Sequence, residues 1–228
     1  MRTVKAICLD LDDTLWDLGP VLVRAEQEIH AWLDQRYPRI TERFSVADIR
    51  ALRQAVEADF PGREFDLPLL RRETFARLAR ETGYAEALAG EAFEVFQRMR
   101  NSVMPYPDVH AGLERLAQRA PLIALTNGNA DLEVIGLRRY FAAVVSAVEV
   151  GAAKPDARAF HAACERVALH PTQVAHAGDH PVNDVDAARA VGMAAVWVDR
   201  GLHEWPAHLA PAEHVVADLH ELAELLGA

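Results

Sequence analysis

The sequence has little of what several classes of protein require. Its 228 residues include two cysteines, Cys8 and Cys164, too few for a disulfide framework or for a zinc site of their own. No apolar run approaches the roughly 18 residues of a membrane span. The short apolar run after Lys5 leads straight into acids, which is not the pattern of a signal peptide. We therefore expect no membrane association and a reducing, cytoplasmic location.

Positive charge is also scarce. The formal net charge is −10, whereas nucleic-acid binding needs a basic face, so nucleic acid is not expected as a partner. The glycine-rich loops Gly-x-x-x-x-Gly-Lys-Ser/Thr and Gly-x-Gly-x-x-Gly, which cradle nucleotides, do not occur. A small anionic substrate stays compatible with this charge, because one metal ion and one lysine can reverse the local field. The 51% of hydrophobic and 25% of charged residues are typical of a globular protein.

The most distinctive stretch is an apolar run that ends in acids. Residues 4–9 have the composition of a buried strand, and Asp10, Asp12 and Asp13 follow them, with Thr14 next. Open parallel sheets bind ligands beyond the carboxyl ends of their strands, which makes this strand end a candidate active site. Taken alone, the same acids are equally typical of a polar turn in which Asp12 or Asp13 caps the next helix.

Helical periodicity dominates residues 18–103. Four consecutive amphipathic helices are predicted there, without an intervening strand. Ser45 and Asp48 form a capping box at the start of the second helix, while Asp66 caps the third and Gly83 ends it. Such a run predicts a four-helix bundle with its own core.

From residue 104 onward the pattern changes to alternating strands and helices. Strands are predicted at residues 121–125, 144–148, 174–177, 194–198 and 215–217, and helices at 130–139, 156–167, 182–190 and 219–226. This alternation predicts an α/β fold with a doubly wound, parallel, Rossmann-like sheet. The predicted domains are a catalytic core of residues 1–17 and 104–228 and an α-helical cap of residues 18–103.

Four of the predicted strands finish in polar residues whose chemistry fits together. These residues are Asp10 and Asp12, then Thr126 and Asn127, then Lys154, and finally Asp179 with Asp184. Parallel strands end at one edge of the sheet, so these side chains are expected to converge. Converging carboxylates repel one another, and Mg2+ suits carboxylate oxygens, water and phosphate. Asp10 and Asp12 share one strand face, so one can attack while the other transfers protons.

These stretches resemble the motifs of the haloacid dehalogenase superfamily of phosphatases. The matching stretches are Asp10–Thr14, Thr126–Gly128, Lys154–Pro155 and Gly178–Asp184, in the order and at the spacing of that family. The helical insert resembles the subgroup with an α-helical cap. The resemblance implies a Mg2+-dependent phosphomonoester hydrolase that acts on a small phosphorylated metabolite through an aspartyl-phosphate.

The resemblance also implies a role for each residue that transfers or holds the phosphoryl group. Asp10 is implied to be the nucleophile and a Mg2+ ligand. Asp12 is implied to be the general acid and base, with its backbone carbonyl on the metal. Lys154 and Thr126 are implied to bind the phosphoryl group, and Asn127 to orient it.

The remaining metal ligands are implied in the same way. Asp179 would bind Mg2+, and Asp184 would lie at the metal site, acting through water or by holding Lys154. Thr14 would steady the loop after the nucleophile. True haloacid dehalogenases, as the resemblance implies, lack an acid at the position of Asp12, because a halide leaving group needs no proton. Its presence here favours phosphate esters.

Alternatives stay open at this point. The same core would serve a phosphomutase acting on a sugar phosphate, a 2-haloacid dehalogenase or a catalytically silent binding protein. The sequence predicts neither the substrate nor the oligomeric state. His180 is interpreted as a hydrogen-bonded loop residue, and solvated helix faces are the better explanation for Arg63, Arg71 and Arg72. Histidines without ligand spacing are interpreted as surface residues, namely His203, His208, His214 and His220.

Overall fold

The computed structural model describes residues 4–228, so the first three residues of the predicted core lie outside this range. Within it, the chain divides into two compact units. The first unit ends at Asp17 and resumes over Met104–Gly128 and Leu132–Ala228. The second unit consists of Leu18–Val103 and Asn129–Asp131.

A parallel sheet forms the centre of the first unit. In the described part of the chain its six strands are β1 (Ala6–Leu9), β2 (Leu122–Thr126), β3 (Ala143–Ser146), β4 (Val174–Gly178), β5 (Ala194–Val198) and β6 (Val215–Val216). Their order across the sheet is β3-β2-β1-β4-β5-β6, and every neighbouring pair is parallel. The chain therefore winds in one direction from β1 to β3 and in the other from β4 to β6. The predicted doubly wound α/β fold is confirmed.

The core of this unit lies between the sheet and its helices. The helices are α6 (Val109–Arg119), α7 (Leu132–Ile135), α8 (Ala147–Val150), α9 (Ala157–Glu165), α10 (Ala187–Ala190) and α11 (Leu219–Leu226). Every residue of β1, β2 and β4 is buried, as expected for parallel strands covered on both faces. Phe160 of α9 shares one apolar cluster with Cys8 of β1 and Ile123 of β2.

Two predicted elements of the first unit are wrong in their extent. The helix expected over 130–139 is divided into α7 and a 3-10 turn, Arg138–Tyr140, because Gly136 takes a positive φ of 83° just after α7. The strand expected over 144–148 ends at Ser146, whose hydroxyl accepts a hydrogen bond from the backbone at the start of α8. Local capping thus replaces a longer regular element in both places.

The segment after β4 also differs from its prediction. A regular helix is expected over 182–190, but Pro181–Asp186 is a π-helical turn, and only Ala187–Ala190 is α-helical. Such turns are rare and occur frequently at functional sites. This one carries Asp184.

The second unit is helical and has its own apolar core. Its helices are α1 (Leu18–Arg36), α2 (Pro38–Arg43), α3 (Val46–Ala58), α4 (Leu67–Thr82) and α5 (Leu88–Arg100). Ser45 and Asp48 form the predicted capping box, and Asp66 accepts a hydrogen bond from the backbone of α4. Gly83 ends α4 with a φ of 72°, as predicted. The prediction missed α2, since six residues are too few to show an amphipathic period.

Arginines of the second unit pack on aromatic rings. The guanidinium of Arg71 lies 3.8 Å from the centroid of the Phe96 ring, and that of Arg72 lies 4.0 Å from Phe93. Burial lowers the pKa of Arg71 to about 10. The interpretation of a solvated helix face is therefore wrong for Arg71, whereas Arg63 is exposed and pairs with Asp66.

Both cysteines are free and buried. Burial raises the pKa of the Cys8 thiol in β1, and it raises the pKa of Cys164 in α9 to about 11. Both thiols therefore behave as small apolar groups. Across residues 4–228, the helices are too short or too polar to cross a membrane.

Candidate active site

Buried charges lie at the carboxyl edge of the sheet, beyond its central strands. Asp10 follows β1, and Asp179 follows β4, which is paired with β1. Lys154 reaches the same place from the segment between α8 and α9. Its Nζ donates hydrogen bonds to Asp10 Oδ1 at 2.5 Å and to Asp184 Oδ1 at 2.6 Å. The side chain of Lys154 is 3% exposed and that of Asp184 2% exposed, so water scarcely screens this pairing.

Thr14 fixes the loop after β1 against the end of β4. Its hydroxyl donates to Asp179 Oδ1 at 2.9 Å and accepts from the backbone N–H of Asp179 at 3.0 Å. The same hydroxyl lies 3.3 Å from Asp10 Oδ2. One small side chain therefore sets the separation of two acids that are 169 positions apart in the chain.

The side chain of Asn127 is engaged by the backbone of Lys154. Asn127 Nδ2 donates to the carbonyl of Lys154 at 2.9 Å, and Asn127 Oδ1 accepts from its N–H at 2.7 Å. Thr126, which ends β2, accepts the N–H of Gly128 at its hydroxyl, at 2.9 Å. The two hydrogen bonds between Asn127 and the backbone of Lys154 fix the position of the lysine, so the amide group of Asn127 acts on Lys154.

Asp12 is held by a tryptophan four residues further along the chain. The indole Nε1–H of Trp16 donates to Asp12 Oδ1 at 2.8 Å, and Trp16 is fully buried. The intervening Asp13 has a φ of 63°, and its N–H donates to the carbonyl of Trp16. The loop therefore closes on itself. Its two carboxylates have different partners, since Trp16 donates to Asp12 and Lys154 donates to Asp10.

Three residues hold Asp184, namely His176, which the sequence did not indicate, and His180 and Gly178, which lie in the matched stretch Gly178–Asp184. His176 of β4 donates from Nε2 to Asp184 Oδ1 at 3.0 Å, and the backbone N–H of His180 donates to Oδ2 at 3.0 Å. A Cβ on Gly178 would lie 2.4 Å from Asp184 Cγ, so only glycine allows this approach. A histidine inside an otherwise apolar buried strand is the signal that could have revealed the first of these contacts.

Two histidines lie beside Asp179. His180 accepts hydrogen bonds from the N–H groups of Val182 and Asn183, as its interpretation as a bonded loop residue predicted. His203 was interpreted as a surface residue, and its side chain is 36% exposed, but it also has a partner at the site. Its Nε2 lies 3.1 Å from Asp179 Oδ2, and its ring centroid lies 4.8 Å from that of His180. No local sequence pattern links His203 to Asp179, because the fold alone brings them together.

The charges of the cluster shift the pKa values of its members. Burial raises the pKa of Asp10, and Asp184 and Asp179 raise it further, while Lys154 opposes the shift. Burial likewise raises the pKa of Asp179, with Asp184 adding to it. Burial alone would raise the pKa of Asp184, but Lys154 and His176 more than offset this, so the net shift is downward. Asp184 is therefore an anion, whereas Asp10 resists ionisation until more positive charge is supplied.

A divalent cation fits this arrangement. Ligand oxygens of Asp10, Asp179 and Asp184 lie within 4.8 Å of one another, and all three residues are buried. Three carboxylates and one lysine leave two negative charges, which one divalent ion balances. Carboxylate oxygens are the ligands that hard cations prefer, and an added cation would favour the ionised form of Asp10. The residues present therefore suit a metal ion in both chemistry and charge.

Comparison with known proteins agrees with this site. A family model for haloacid dehalogenase-like hydrolase matches residues 4–192. A sheet of this topology, with an aspartate after β1 and a buried lysine and acids beyond its central strands, is the framework of such a hydrolase. The chain belongs to the haloacid dehalogenase-like hydrolase family.

Its relatives include phosphatases. The chain is 32% identical over 216 residues to the 5-amino-6-(5-phospho-D-ribitylamino)uracil phosphatase YigB of Escherichia coli, covering 91% of this chain and 90% of that protein. It is 38% identical over 164 residues to a phosphoserine phosphatase of Thermus thermophilus, covering 68% of this chain and 66% of that protein. Both proteins are named for hydrolysis of a phosphorylated small molecule.

A solved structure with another name is also similar. The crystal structure of a 2-haloacid dehalogenase from Pseudomonas syringae pv. Tomato has a TM-score of 0.92 and 33% identity, and 98% of each chain is covered. The fold and the family are therefore common to enzymes named for two different reactions. The residues of the site have to distinguish between them.

Proposed function

We propose that this hydrolase is a Mg2+-dependent phosphomonoesterase that acts on a small phosphorylated metabolite. The observation that carries the proposal is the buried contact of Lys154 with both Asp10 and Asp184, together with Asp12, which lies two residues after Asp10 and is held by Trp16. This set supplies a nucleophile, a proton carrier and positive charge for a phosphoryl group. When bound, Mg2+ supplies further stabilisation of the charge on that group.

In the first step, a carboxylate oxygen of Asp10 attacks phosphorus and forms an aspartyl-phosphate. The bond between phosphorus and the leaving oxygen breaks, and the electron pair of that bond stays on the oxygen. Asp12 donates a proton to the same oxygen. In the second step, Asp12 takes a proton from water as the water oxygen attacks phosphorus. The bond to Asp10 then breaks and inorganic phosphate leaves. Proton transfer of this kind contributes about 10²–10⁴-fold to the rate.

The other residues bind and position the reacting groups. Lys154 donates to Asp10 before the substrate arrives and then holds a phosphoryl oxygen, while Thr126 offers a hydroxyl to the same group. Asn127 acts through the backbone of Lys154, to which its amide is bonded. Asp10, Asp179 and the backbone carbonyl of Asp12 are the proposed Mg2+ ligands. Asp184 holds Lys154, and it would bind the metal ion through water.

The helices of residues 18–103 are the proposed cap, to which we assign the exclusion of water during the reaction. Specificity then resides largely in this unit. The names of the relatives favour a phosphorylated metabolite of modest size, and the free, buried cysteines suit a reducing cytoplasm.

Dehalogenation is the second candidate, favoured by the similarity to the 2-haloacid dehalogenase structure. Asp12 argues against it. A halide leaves without a proton, so a dehalogenase has no use for an acid at this position, whereas an alkoxide leaving group requires one. The indole of Trp16 holds that acid in place. A phosphomutase would use the same residues but return the phosphoryl group to the sugar.

Product analysis separates the three activities. We expect inorganic phosphate to be released from some members of a panel of phosphorylated metabolites in Mg2+, and no release in EDTA. 2-Chloropropionate under the same conditions should yield no chloride. Chloride release without phosphate release would contradict the proposal, as would phosphate release that EDTA leaves unchanged. An isomeric sugar phosphate formed in place of inorganic phosphate would identify a mutase.

A further inference from the structure

His203 stands apart from the residues assigned so far, because it contacts Asp179 but has no part in the proposed phosphoryl transfer. It follows β5 in the chain, and its Nε2 is 3.1 Å from Asp179 Oδ2. Thr14 engages the opposite oxygen, Oδ1, at 2.9 Å. The two oxygens of Asp179 are thus contacted from two sides by two different segments.

The segment that carries His203 is anchored to the same loop. Arg200 donates two hydrogen bonds to the carbonyl of Thr14, at 3.1 and 3.0 Å. It also forms a two-pronged ion pair with Asp108, at 3.1 and 2.8 Å, and bonds the carbonyl of Ala217. Its side chain is 8% exposed. Thr14 therefore positions Asp179 through its hydroxyl and the His203 segment through its carbonyl.

Two further contacts restrict His203 and Asp179. The His203 ring lies 4.8 Å from the His180 ring, which two backbone N–H groups hold in place. The indole of Trp197, in β5, donates to the backbone carbonyl of Asp179 at 2.7 Å. The end of β5 and the segment after it therefore contact both the backbone and the side chain of Asp179.

Within the described residues, the cluster of potential ligand atoms that lie within 4.8 Å of one another comprises Asp10, Asp179 and Asp184, without His203. The histidine nitrogen thus faces a ligand rather than the centre of the site. Outer contacts of this kind orient ligating carboxylates, and their loss typically costs about 10- to 100-fold in metal affinity.

We propose that His203 is a positioning residue of the metal site, which orients the Asp179 carboxylate for the cation by a contact from its Nε2 to Oδ2. The proposal rests on the metal site of the proposed function. It adds a residue from a segment that none of the matched motifs contains.

The test is a calorimetric titration of the full-length protein with Mg2+, without substrate. His203→Ala should weaken Mg2+ binding by about 10-fold or more, whereas His203→Gln, whose amide can donate to Asp179, should stay within about 3-fold of wild type. His208→Ala, an exposed histidine five residues further on, is the matched control and should bind as wild type does. At saturating Mg2+, kcat of His203→Ala should return close to the wild-type value.

Three results would count against the proposal in different ways. Equal affinity of wild type and His203→Ala would overturn the role of His203 alone. The Gln variant could bind Mg2+ as weakly as the Ala variant, and both could lose a preference for Ni2+ over Mg2+ that wild type shows. That result would make His203 a direct ligand and overturn the positioning role. Wild-type protein that binds no Mg2+ would overturn the metal site of the proposed function itself.

Discussion

Asp10→Asn is expected to lower kcat by roughly 10⁴-fold or more, because it removes the group that attacks phosphorus. Phosphate release from p-nitrophenyl phosphate in saturating Mg2+ measures this loss. Asp13→Asn is the matched control, since it makes the same chemical change three residues away. Asp13 has a φ of 63°, which asparagine tolerates, so this variant should keep most of the wild-type rate. Hydrolysis by Asp10→Asn within 100-fold of wild type would contradict the assignment.

The same variant should fold at least as well as wild type. Burial and the carboxylates of Asp184 and Asp179 raise the pKa of Asp10, so its ionised form is unfavourable in the metal-free protein. Because the pKa of Asp10 is higher in the folded than in the unfolded protein, its contribution to the free energy of unfolding is favourable at low pH. This contribution is lost as the pH rises through the folded-state pKa. The advantage of Asn over Asp should therefore grow with pH. Urea unfolding in EDTA at pH 6 and pH 8 measures this difference.

Lys154→Met is expected to be the most destabilising single change at the site. It leaves Asp10 and Asp184 buried beside each other without the lysine that both contact. Removing one partner of a buried pair typically costs about 3–5 kcal/mol. The free energy of unfolding from urea titration in EDTA at pH 8 measures this cost. Lys5→Met, at the other lysine of the sequence, is exposed and serves as the control.

The loss caused by Lys154→Met should depend on pH and on metal. Lys154 lowers the pKa values of Asp10 and Asp184, so its removal lets both rise in the folded protein. Protonation then relieves the repulsion, and the deficit relative to wild type should shrink as the pH falls towards 5. Mg2+ should stabilise the variant more than it stabilises wild type, because the ion replaces the missing charge. A deficit that is small and constant between pH 5 and pH 8 would contradict this electrostatic account.

Much of the fold could be predicted because its strands are continuous apolar runs with clear ends. The predicted bounds of β5 and of α11 match the structure, and β2 and β4 differ by one residue. The elements that follow β2 and β3 could not be predicted in the same way. Helices of four residues are set by a cap or a glycine, such as Ser146 or Gly136, and show no period of their own.

The residues of the candidate site could likewise be predicted only in part. Asp10, Lys154, Asp179 and Asp184 could be expected to meet, because parallel strands end at one edge, and the structure brings their side chains together. The residues that hold them could not. Trp16 and His176 look like core residues in sequence, and His203 meets Asp179 through a segment that Arg200 anchors. Supporting contacts depend on distances in space that a linear pattern does not contain.

Trapping the phosphoenzyme is the direct test that phosphoryl transfer passes through Asp10. Asp12→Asn lacks the base that activates water, but p-nitrophenolate leaves without help from an acid, so the intermediate should accumulate. The variant is mixed with p-nitrophenyl phosphate and Mg2+, quenched in acid, digested and analysed by mass spectrometry. We predict one phosphoryl group on the peptide that contains Asp10. Release of p-nitrophenolate with that peptide unmodified, or with the phosphoryl group on another residue, would contradict the account.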